Sequence, residues 1–197
     1  MTSASTTRAV VTSSPANRRA RFSRRPWYRW LLTALAFPPS GLIAHLVAGR
    51  VDSVPAATLN GVIAGAGIGA AQWALLRHRG VSLTWIPATA TGLGAGLAVG
   101  AALVSYRTDI SSLVAMGAVS GLAVGIAQGA TLGDAKRTVG WSAATAALWA
   151  LGWTVTTAGG IDVSQQWAVF GAYGCLTLAL LQSVIVSAFI PAKTVSS

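Results

Sequence analysis

The order of apolar and polar positions divides this chain into six long apolar segments joined by short polar loops. Each segment is close to the length of about 20 residues that an α-helix needs to cross a bilayer. The pattern therefore predicts an all-α integral membrane protein with six transmembrane helices. Because the loops are short, neighbouring helices are expected to be antiparallel. The predicted helices run approximately over residues 30–47, 56–76, 83–104, 112–132, 139–157 and 167–190.

Glycine recurs at every fourth position in the second and fourth segments, so each row of glycines lies on one face of a helix. In water each of these glycines would weaken a helix by roughly 1 kcal/mol relative to alanine. In lipid, small residues let a neighbouring backbone approach closely. We therefore predict two helix-packing faces, which contain Gly61, Gly65, Gly69, Gly117, Gly121, Gly125 and Gly129.

The composition agrees with a membrane protein. The 197 residues are 53% hydrophobic and 9% charged, with a mean hydropathy of +0.62, whereas soluble domains carry about 25% charged residues. The net charge of +10 is compatible with nucleic-acid binding, but seven of the fourteen basic residues lie in the first 29 positions and most others lie in short loops. We therefore predict a lipid bilayer, and no nucleic acid, as the partner.

The basic residues also predict an orientation. With the N-terminus in the cytoplasm, twelve of the fourteen lie on the inner side, as the positive-inside rule requires. This predicts a multi-pass protein of the bacterial inner membrane with both termini cytoplasmic. Residues 1–26 are predicted to form a disordered tail whose arginines fix the orientation or attract anionic lipid headgroups, and residues 191–197 a short tail. A transit peptide, a twin-arginine signal and a signal peptide cleaved near Ala48 are the alternatives.

A spacing of 56 residues recurs in the chain. It separates Gln72 from Gln128 and Trp85 from Trp141, and a fainter third copy contains Gln182. Repeats that start on the same side of a membrane are related by an axis along its normal. We therefore predict a pseudo-threefold arrangement of three antiparallel helical hairpins, over residues 27–80, 82–135 and 138–190.

A short segment ahead of the third helix reads Gly69-Ala-Ala-Gln72-Trp73-Ala-Leu-Leu76-Arg77. It resembles the repeated Gly-x-x-Gln-Trp-x-x-Leu-Arg segments of an uncharacterised group of small bacterial polytopic membrane proteins. The second copy departs from this pattern, because Gly129 and Gly133 replace the tryptophan and the arginine. The resemblance implies a topology and no activity.

Three glutamines, Gln72, Gln128 and Gln182, lie in the inner halves of the even-numbered segments. Inside a membrane their carboxamides require hydrogen-bond partners. They form either a polar ring that lines a site or packing contacts to tryptophan N–H groups and backbone carbonyls. A constant spacing of thirteen residues to Trp85 and Trp141 favours packing, so we expect each of the first two glutamines to contact its tryptophan.

The sequence Phe37-Pro38-Pro39-Ser40-Gly41 is predicted to interrupt the first helix at mid-membrane depth, because proline removes a donor and clashes with the preceding turn. The interruption is either a kink or a broken helix whose ends bind an ion or a small anion. A kink is the favoured interpretation.

The remaining polar residues have structural explanations. His45 is predicted to be interfacial or hydrogen-bonded, and Asp52, Asp109 and Asp162 to cap the even-numbered helices. We find no metal-ligand cluster, no catalytic triad and no carboxylate within a span, and we expect no cofactor.

The sequence therefore predicts a non-enzymatic protein with a structural or assembly role through glycine-mediated packing. Its partners would be other membrane proteins or a second copy of the chain. The alternative is a small-solute or ion transporter or channel, with its site at Pro38–Gly41 and the inner glutamines.

Overall fold

The structure is a computed structural model that describes residues 27–190, so the predictions for residues 1–26 and 191–197 lie outside the described part. The described part is all-helical. The first helical segment, α1, is continuous and consists of Trp27–Trp30, a 3-10 stretch Leu31–Ala36 and Phe37–Ala48. The others are α2 (Val54–Leu76, followed by a 3-10 turn Arg77–Arg79), α3 (Trp85–Leu103), α4 (Ile110–Ala130), α5 (Ala135–Ala158) and α6 (Ala172–Phe189).

Five of these six helices, all except α5, are long and apolar enough to cross a membrane. Helix α5 has 24 residues, so its length is sufficient. Its composition is less apolar because Lys136 and Arg137 lie in its first turn and six serines or threonines follow. The all-helical fold with six helices is thus confirmed, and the five long apolar helices are compatible with a multi-pass membrane protein.

The proline stretch does not interrupt α1. The chain stays helical, but its geometry changes from 3-10 to α at Phe37, so Pro38 and Pro39 lie in the first turn of the α-helical part. Proline is tolerated there because its ring already fixes φ near the helical value. The two missing donors also prevent α-type hydrogen bonds to Ala34 and Leu35, which accounts for the 3-10 geometry of the preceding residues.

The sixth helix begins later than predicted. It starts at Ala172 instead of residue 167, and residues 159–171 form an irregular segment between α5 and α6. Three consecutive side chains of this segment, Ala168, Val169 and Phe170, are buried. A helix turns successive side chains by about 100°, so three buried neighbours favour a non-helical backbone.

Each helix packs against the next along the chain, and α6 packs against α1, so the six helices form a closed ring. Ile68, Val124 and Leu178, one from each even-numbered helix, are fully buried in a common hydrophobic cluster. They occupy positions one turn before Gln72, Gln128 and Gln182, which are also buried. Apolar side chains therefore fill the interior of the ring next to the glutamines.

The two glycine rows contact the helix that follows each of them. A Cβ atom on Gly61 would lie 2.5 Å from the carbonyl oxygen of Leu93, and one on Gly65 would lie 2.7 Å from that of Thr89. The α4 row makes the corresponding contacts 56 residues later, where a Cβ atom on Gly121 would lie 2.7 Å from the carbonyl oxygen of Thr145. The glycines thus bring α2 against α3 and α4 against α5, across the boundaries of the predicted hairpins.

The bundle has two distinguishable ends. Loops 49–53, 104–109 and 159–171 form one end, which we call the aspartate end because each loop carries an aspartate. Hydrogen bonds join these loops, since Arg50 donates to the Ser164 carbonyl at 2.7 Å and Gln166 Nε2 donates to the Tyr106 carbonyl at 2.8 Å. At the opposite end, which we call the tryptophan end, the buried cluster includes Trp30, Trp85, Leu76, Trp141, Val186 and Ile190.

The tryptophan end is also held by a buried arginine. The guanidinium of Arg79 donates to the carbonyl oxygen of Ile190 at 2.7 Å. This carbonyl follows the last turn of α6, where a helix has unpaired acceptors and a partial negative charge. Arg79 therefore ties the end of α2 to the end of α6.

Asp109 caps α4 as predicted. Its carboxylate accepts hydrogen bonds from the hydroxyls of Ser111 and Ser112 and from the backbone N–H of Ser112. The Ser111 hydroxyl, followed by the two Ser112 groups, holds the pKa of Asp109 well below its usual range. The carboxylate is therefore ionised at neutral pH and suits the positive end of a helix.

The other two predicted caps are wrong. The N-cap residue of α2 is Ser53 and not Asp52, and the side chain of Ser53 makes no capping hydrogen bond. Asp162 lies ten residues before α6, and its carboxylate accepts the backbone N–H of Ser164 at 2.9 Å. The hydrogen bonds from Ser164 lower the pKa of Asp162 from its usual range.

Candidate functional site

Two of the three predicted glutamines meet in the interior of the bundle. The amide nitrogen Nε2 of Gln128 donates to Gln72 Oε1 at 2.9 Å and lies 2.9 Å from Thr89 Oγ1. The Thr89 hydroxyl donates to the Trp85 carbonyl at 2.7 Å, so its oxygen accepts from Gln128. These residues are buried, and they link α2, α3 and α4 through polar contacts.

Each of these glutamines also accepts a hydrogen bond from the tryptophan thirteen residues further on. Trp85 Nε1 donates to Gln72 Oε1 at 3.0 Å, and Trp141 Nε1 donates to Gln128 Oε1 at 2.9 Å. These are the two contacts that the constant spacing predicts. Both indole rings are fully buried, with centroids 6.0 Å apart. We refer to Gln72, Gln128, Thr89, Trp85 and Trp141 as the glutamine–tryptophan cluster.

The third glutamine does not join this cluster. Gln182 is buried on α6, but within residues 27–190 its carboxamide makes no hydrogen bond to Gln72 or Gln128. Trp30, which opens the first predicted hairpin as Trp85 and Trp141 open the others, is also buried, and its ring N–H has no hydrogen-bond partner. The described residues therefore bring together two of the three predicted ring members.

A cavity lies in the half of the bundle nearer the aspartate end. It has a volume of about 380 Å³ and lies between α1, the end of α5, the irregular segment and the start of α6. Aromatic and aliphatic side chains, among them Trp153, Trp167 and Phe170, form most of its wall. Its volume falls within the range of about 300–1,000 Å³ that is typical of small-molecule sites.

The proline stretch and the glutamines, which the transporter interpretation combines in one site, lie apart. Pro38 and Gly41 line the cavity, whereas Pro39 does not. None of the three glutamines lines it. The glutamine–tryptophan cluster is closed by its own hydrogen bonds, so the predicted solute site is divided into a cavity and a packed polar cluster.

His45 lies near the aspartate end, where its ring is 4.2 Å from that of Trp167, centroid to centroid. The imidazole is half-buried, and its Nδ1 atom has no hydrogen-bond partner. His45 is therefore packed against the irregular segment. Among residues 27–190 no group of three or more His, Cys, Asp or Glu side chains is arranged to hold a metal ion.

Two features of these sites had only weak sequence signals. Thr89 lies one turn after Trp85, and Ala88-Thr89-Ala90 has a matching segment 56 residues later, but nothing in that spacing assigns its hydroxyl to Gln128. The sequence pattern does not reveal the irregular segment, because residues 167–171 are apolar and continuous with the apolar sequence of α6. Phe170 of this segment packs against Phe37, which is distant in sequence, at 5.6 Å between ring centroids.

Comparisons with known proteins give no match: no family model, no curated protein and no solved structure is significantly similar to this chain.

Proposed function

We propose that this chain is a non-enzymatic, multi-pass protein of the bacterial inner membrane with a structural role in the assembly of membrane proteins. In this role the helical bundle is a rigid scaffold that associates with other membrane proteins or with a second copy. The observation that carries the proposal is that the residues suited to close helix packing hold this bundle together from within. Both glycine rows and the glutamine–tryptophan cluster contact neighbouring helices of the same chain.

Association would then use the outward faces of the helices. Large apolar side chains are exposed there, including Leu46 on α1, Leu103 on α3 and Val184 on α6. Exposed leucines and valines are stable against lipid chains, and they leave room for contacts with apolar partners. A rigid bundle with such faces loses little conformational entropy when it associates.

The three-hairpin repeat remains part of this proposal. Its support is the recurrence of contacts at a distance of 56 residues, seen in the Gln72–Trp85 and Gln128–Trp141 hydrogen bonds and in the two glycine rows. The third copy is supported by the position of Gln182 and by the packing of α6 against α1, which closes the ring. A pseudo-threefold axis along the membrane normal follows if all three hairpins start on the same side.

The proposed orientation places the aspartate end outside the cell and the tryptophan end in the cytoplasm. In a Cys175→Ala background, an impermeant maleimide added to intact spheroplasts is expected to label Ser164→Cys. It should label Lys136→Cys only after the membrane is permeabilised. Both positions are exposed, so accessibility of the side chain is matched. The reverse labelling pattern would invert the topology, and labelling of both positions in intact spheroplasts would contradict a membrane-spanning arrangement.

The assembly role predicts a defined complex. After extraction in a mild detergent, native mass spectrometry is expected to show a species heavier than the single 20.0 kDa chain by a whole number of copies or by a stoichiometric protein partner. Leu46→Ser and Leu103→Ser, on different outward faces, test which face is used. A single chain without a protein partner would contradict the assembly role.

A second candidate is the binding or transport of a small solute, which the cavity beside Pro38 and Gly41 favours. Transport requires a path that continues through the bundle, and the buried glutamine–tryptophan cluster occupies the interior of its other half. A single chain that co-purifies with a small solute would support this candidate over the assembly role.

A further inference from the structure

The cavity near the aspartate end has a wall made mostly of apolar side chains. Thr156 is the hydroxyl residue among those that line it, and its Oγ1 donates to the Gly152 carbonyl at 2.8 Å. Most of the other lining side chains are aliphatic or aromatic. A polar solute bound here would lose its hydration and find few hydrogen-bond partners in exchange, which is unfavourable. The wall therefore suits a hydrocarbon ligand.

Charge is confined to one edge of this cavity. Asp162 is the one charged residue among those that line it, all of which belong to the described part. Its side chain is exposed in the irregular segment, and its carboxylate accepts the backbone N–H of Ser164. A ligand that places its polar end at this edge meets a negative charge, which disfavours an anionic headgroup.

Part of the cavity wall also reaches the side of the bundle. Leu42 on α1 and Ala172 at the start of α6 line the cavity, and both are exposed. Leu42 is continuous with Ile43 and Leu46, further exposed apolar side chains of α1. In a membrane-spanning bundle this side faces lipid, so a hydrocarbon chain can enter from the bilayer without crossing water.

From these observations we propose that the cavity binds one hydrocarbon chain of a membrane amphiphile, with an uncharged or cationic headgroup beside Asp162. The chain lies against Trp153 and Phe170, and the headgroup lies at the aspartate end. The irregular segment creates the site, because a sixth helix that started near residue 162 would replace the backbone that forms this wall. This binding role goes beyond the proposed assembly role and does not depend on it.

Photolabelling tests this proposal. The protein is placed in phosphatidylcholine nanodiscs and exposed to 1-dodecanol that carries a diazirine near the end of its chain, and labelled peptides are identified by mass spectrometry. Labelling is expected to saturate at buried residues that line the cavity, such as Trp153, Val169 and Phe170. Unlabelled 1-dodecanol and dodecyltrimethylammonium should compete, and dodecyl sulfate should compete much less.

Two matched variants separate the cavity from the general lipid-facing surface. Ala172→Phe fills the cavity from an exposed position at the start of α6, and Leu176→Phe is exposed one turn later but does not line the cavity. Ala172→Phe should weaken saturable labelling by at least about tenfold, since the loss of roughly two buried methylenes is sufficient for that change. Leu176→Phe should leave it unchanged. If Ala172→Phe does not fold, Val163→Phe, at a second position that lines the cavity, replaces it as the cavity-filling variant.

Three results would overturn the proposal. Labelling that does not saturate and is spread over exposed apolar residues would show ordinary contact with lipid. Equal labelling in the cavity-filling variant and the Leu176→Phe control would place the chain elsewhere. Equal competition by dodecyl sulfate would exclude a headgroup site beside Asp162. None of these results changes the mass of the complex that tests the assembly role, so the two proposals fail separately.

Discussion

Replacing Gly125 with valine is expected to lower the free energy of unfolding by about 3 kcal/mol, the upper part of the usual range for overpacking. A Cβ atom on Gly125 would lie 2.5 Å from the Cα atom of Ser142 and 3.2 Å from its carbonyl oxygen. Both are backbone atoms of α5, so relief requires the two helices to separate. Separation would also loosen the contacts of Gly121 and Gly129 on the same face.

Thermal unfolding with a thiol-reactive fluorogenic dye measures this effect. Cys175 is the one cysteine of the chain and is buried, so the dye reacts as the bundle opens. Ala115→Val is the matched control, because Ala115 is exposed on the same helix and the variant introduces the same β-branched side chain. Similar melting temperatures for Gly125→Val and Ala115→Val would show that α4 and α5 do not pack through this glycine.

Gly140 gives a second comparison, because the nearest atom to it belongs to a side chain and not to a backbone. A Cβ atom on Gly140 would lie 2.6 Å from Cε1 of Phe189, at the far end of a side chain that can rotate. Gly140→Val is therefore expected to destabilise the bundle less than Gly125→Val. The gain in helix propensity over glycine also offsets part of the cost at both positions. The difference between the two variants isolates the effect of a rigid backbone neighbour.

The parts of this molecule that could be predicted from sequence depend on linear spacing. Long apolar segments define the helices, and the four-residue glycine spacing defines a face. The Gln72–Trp85 and Gln128–Trp141 contacts were predictable because each pair flanks a short loop, so the two side chains lie near the same end of adjacent helices.

The start of α6 could not be predicted in this way. Asp109 and Asp162 have similar local surroundings, yet only Asp109 caps a helix. A cap contributes about 1 kcal/mol, whereas burial of a large apolar side chain contributes about 1.5–3 kcal/mol. Burial of Val169 and Phe170 therefore outweighs the cap at Asp162. Phe170 packs against Phe37, which is distant in sequence, so local patterns carry no sign of this contact.

The cavity also depends on contacts between residues that are distant in sequence. Its wall combines α1, the end of α5 and the irregular segment, and it exists because α6 begins at Ala172. The sequence did indicate Pro38 and Gly41 as unusual positions, for the reason that proline disrupts helices. Their observed environment follows from tertiary packing, since a Cβ atom on Gly41 would lie 2.5 Å from the Val169 side chain.

Replacing Gln128 with methionine is expected to lower the free energy of unfolding by about 2 kcal/mol, mainly because the Trp141 ring N–H loses its acceptor. Interhelical hydrogen bonds in membranes average only about 0.6 kcal/mol, because the unfolded state also finds partners. The cost is larger here because the Trp141 ring is fully buried between Trp85 and Phe189. Its N–H therefore cannot turn to another acceptor while the bundle stays folded.

A double-mutant cycle with Trp141→Phe tests the cause. Phenylalanine removes the donor, so adding Gln128→Met to Trp141→Phe should cost at least about 1 kcal/mol less than adding it to the native chain. Gln165→Met, at an exposed position, controls for the general effect of losing a glutamine. Strict additivity in the cycle would contradict a stabilising hydrogen bond between Gln128 and Trp141.

The third glutamine makes the prediction specific to the cluster. Gln72→Met should resemble Gln128→Met, because it removes the acceptor of the Trp85 N–H and one of the two acceptors of the Gln128 amide. The two changes together should cost less than their sum, since both remove the Gln128–Gln72 hydrogen bond. Gln182 is buried but lies outside the cluster, so its interaction energy with Gln128 should be near zero. A coupling of Gln182 to Gln128 as strong as that of Gln72 would instead favour a closed ring of three glutamines around the pseudo-threefold axis.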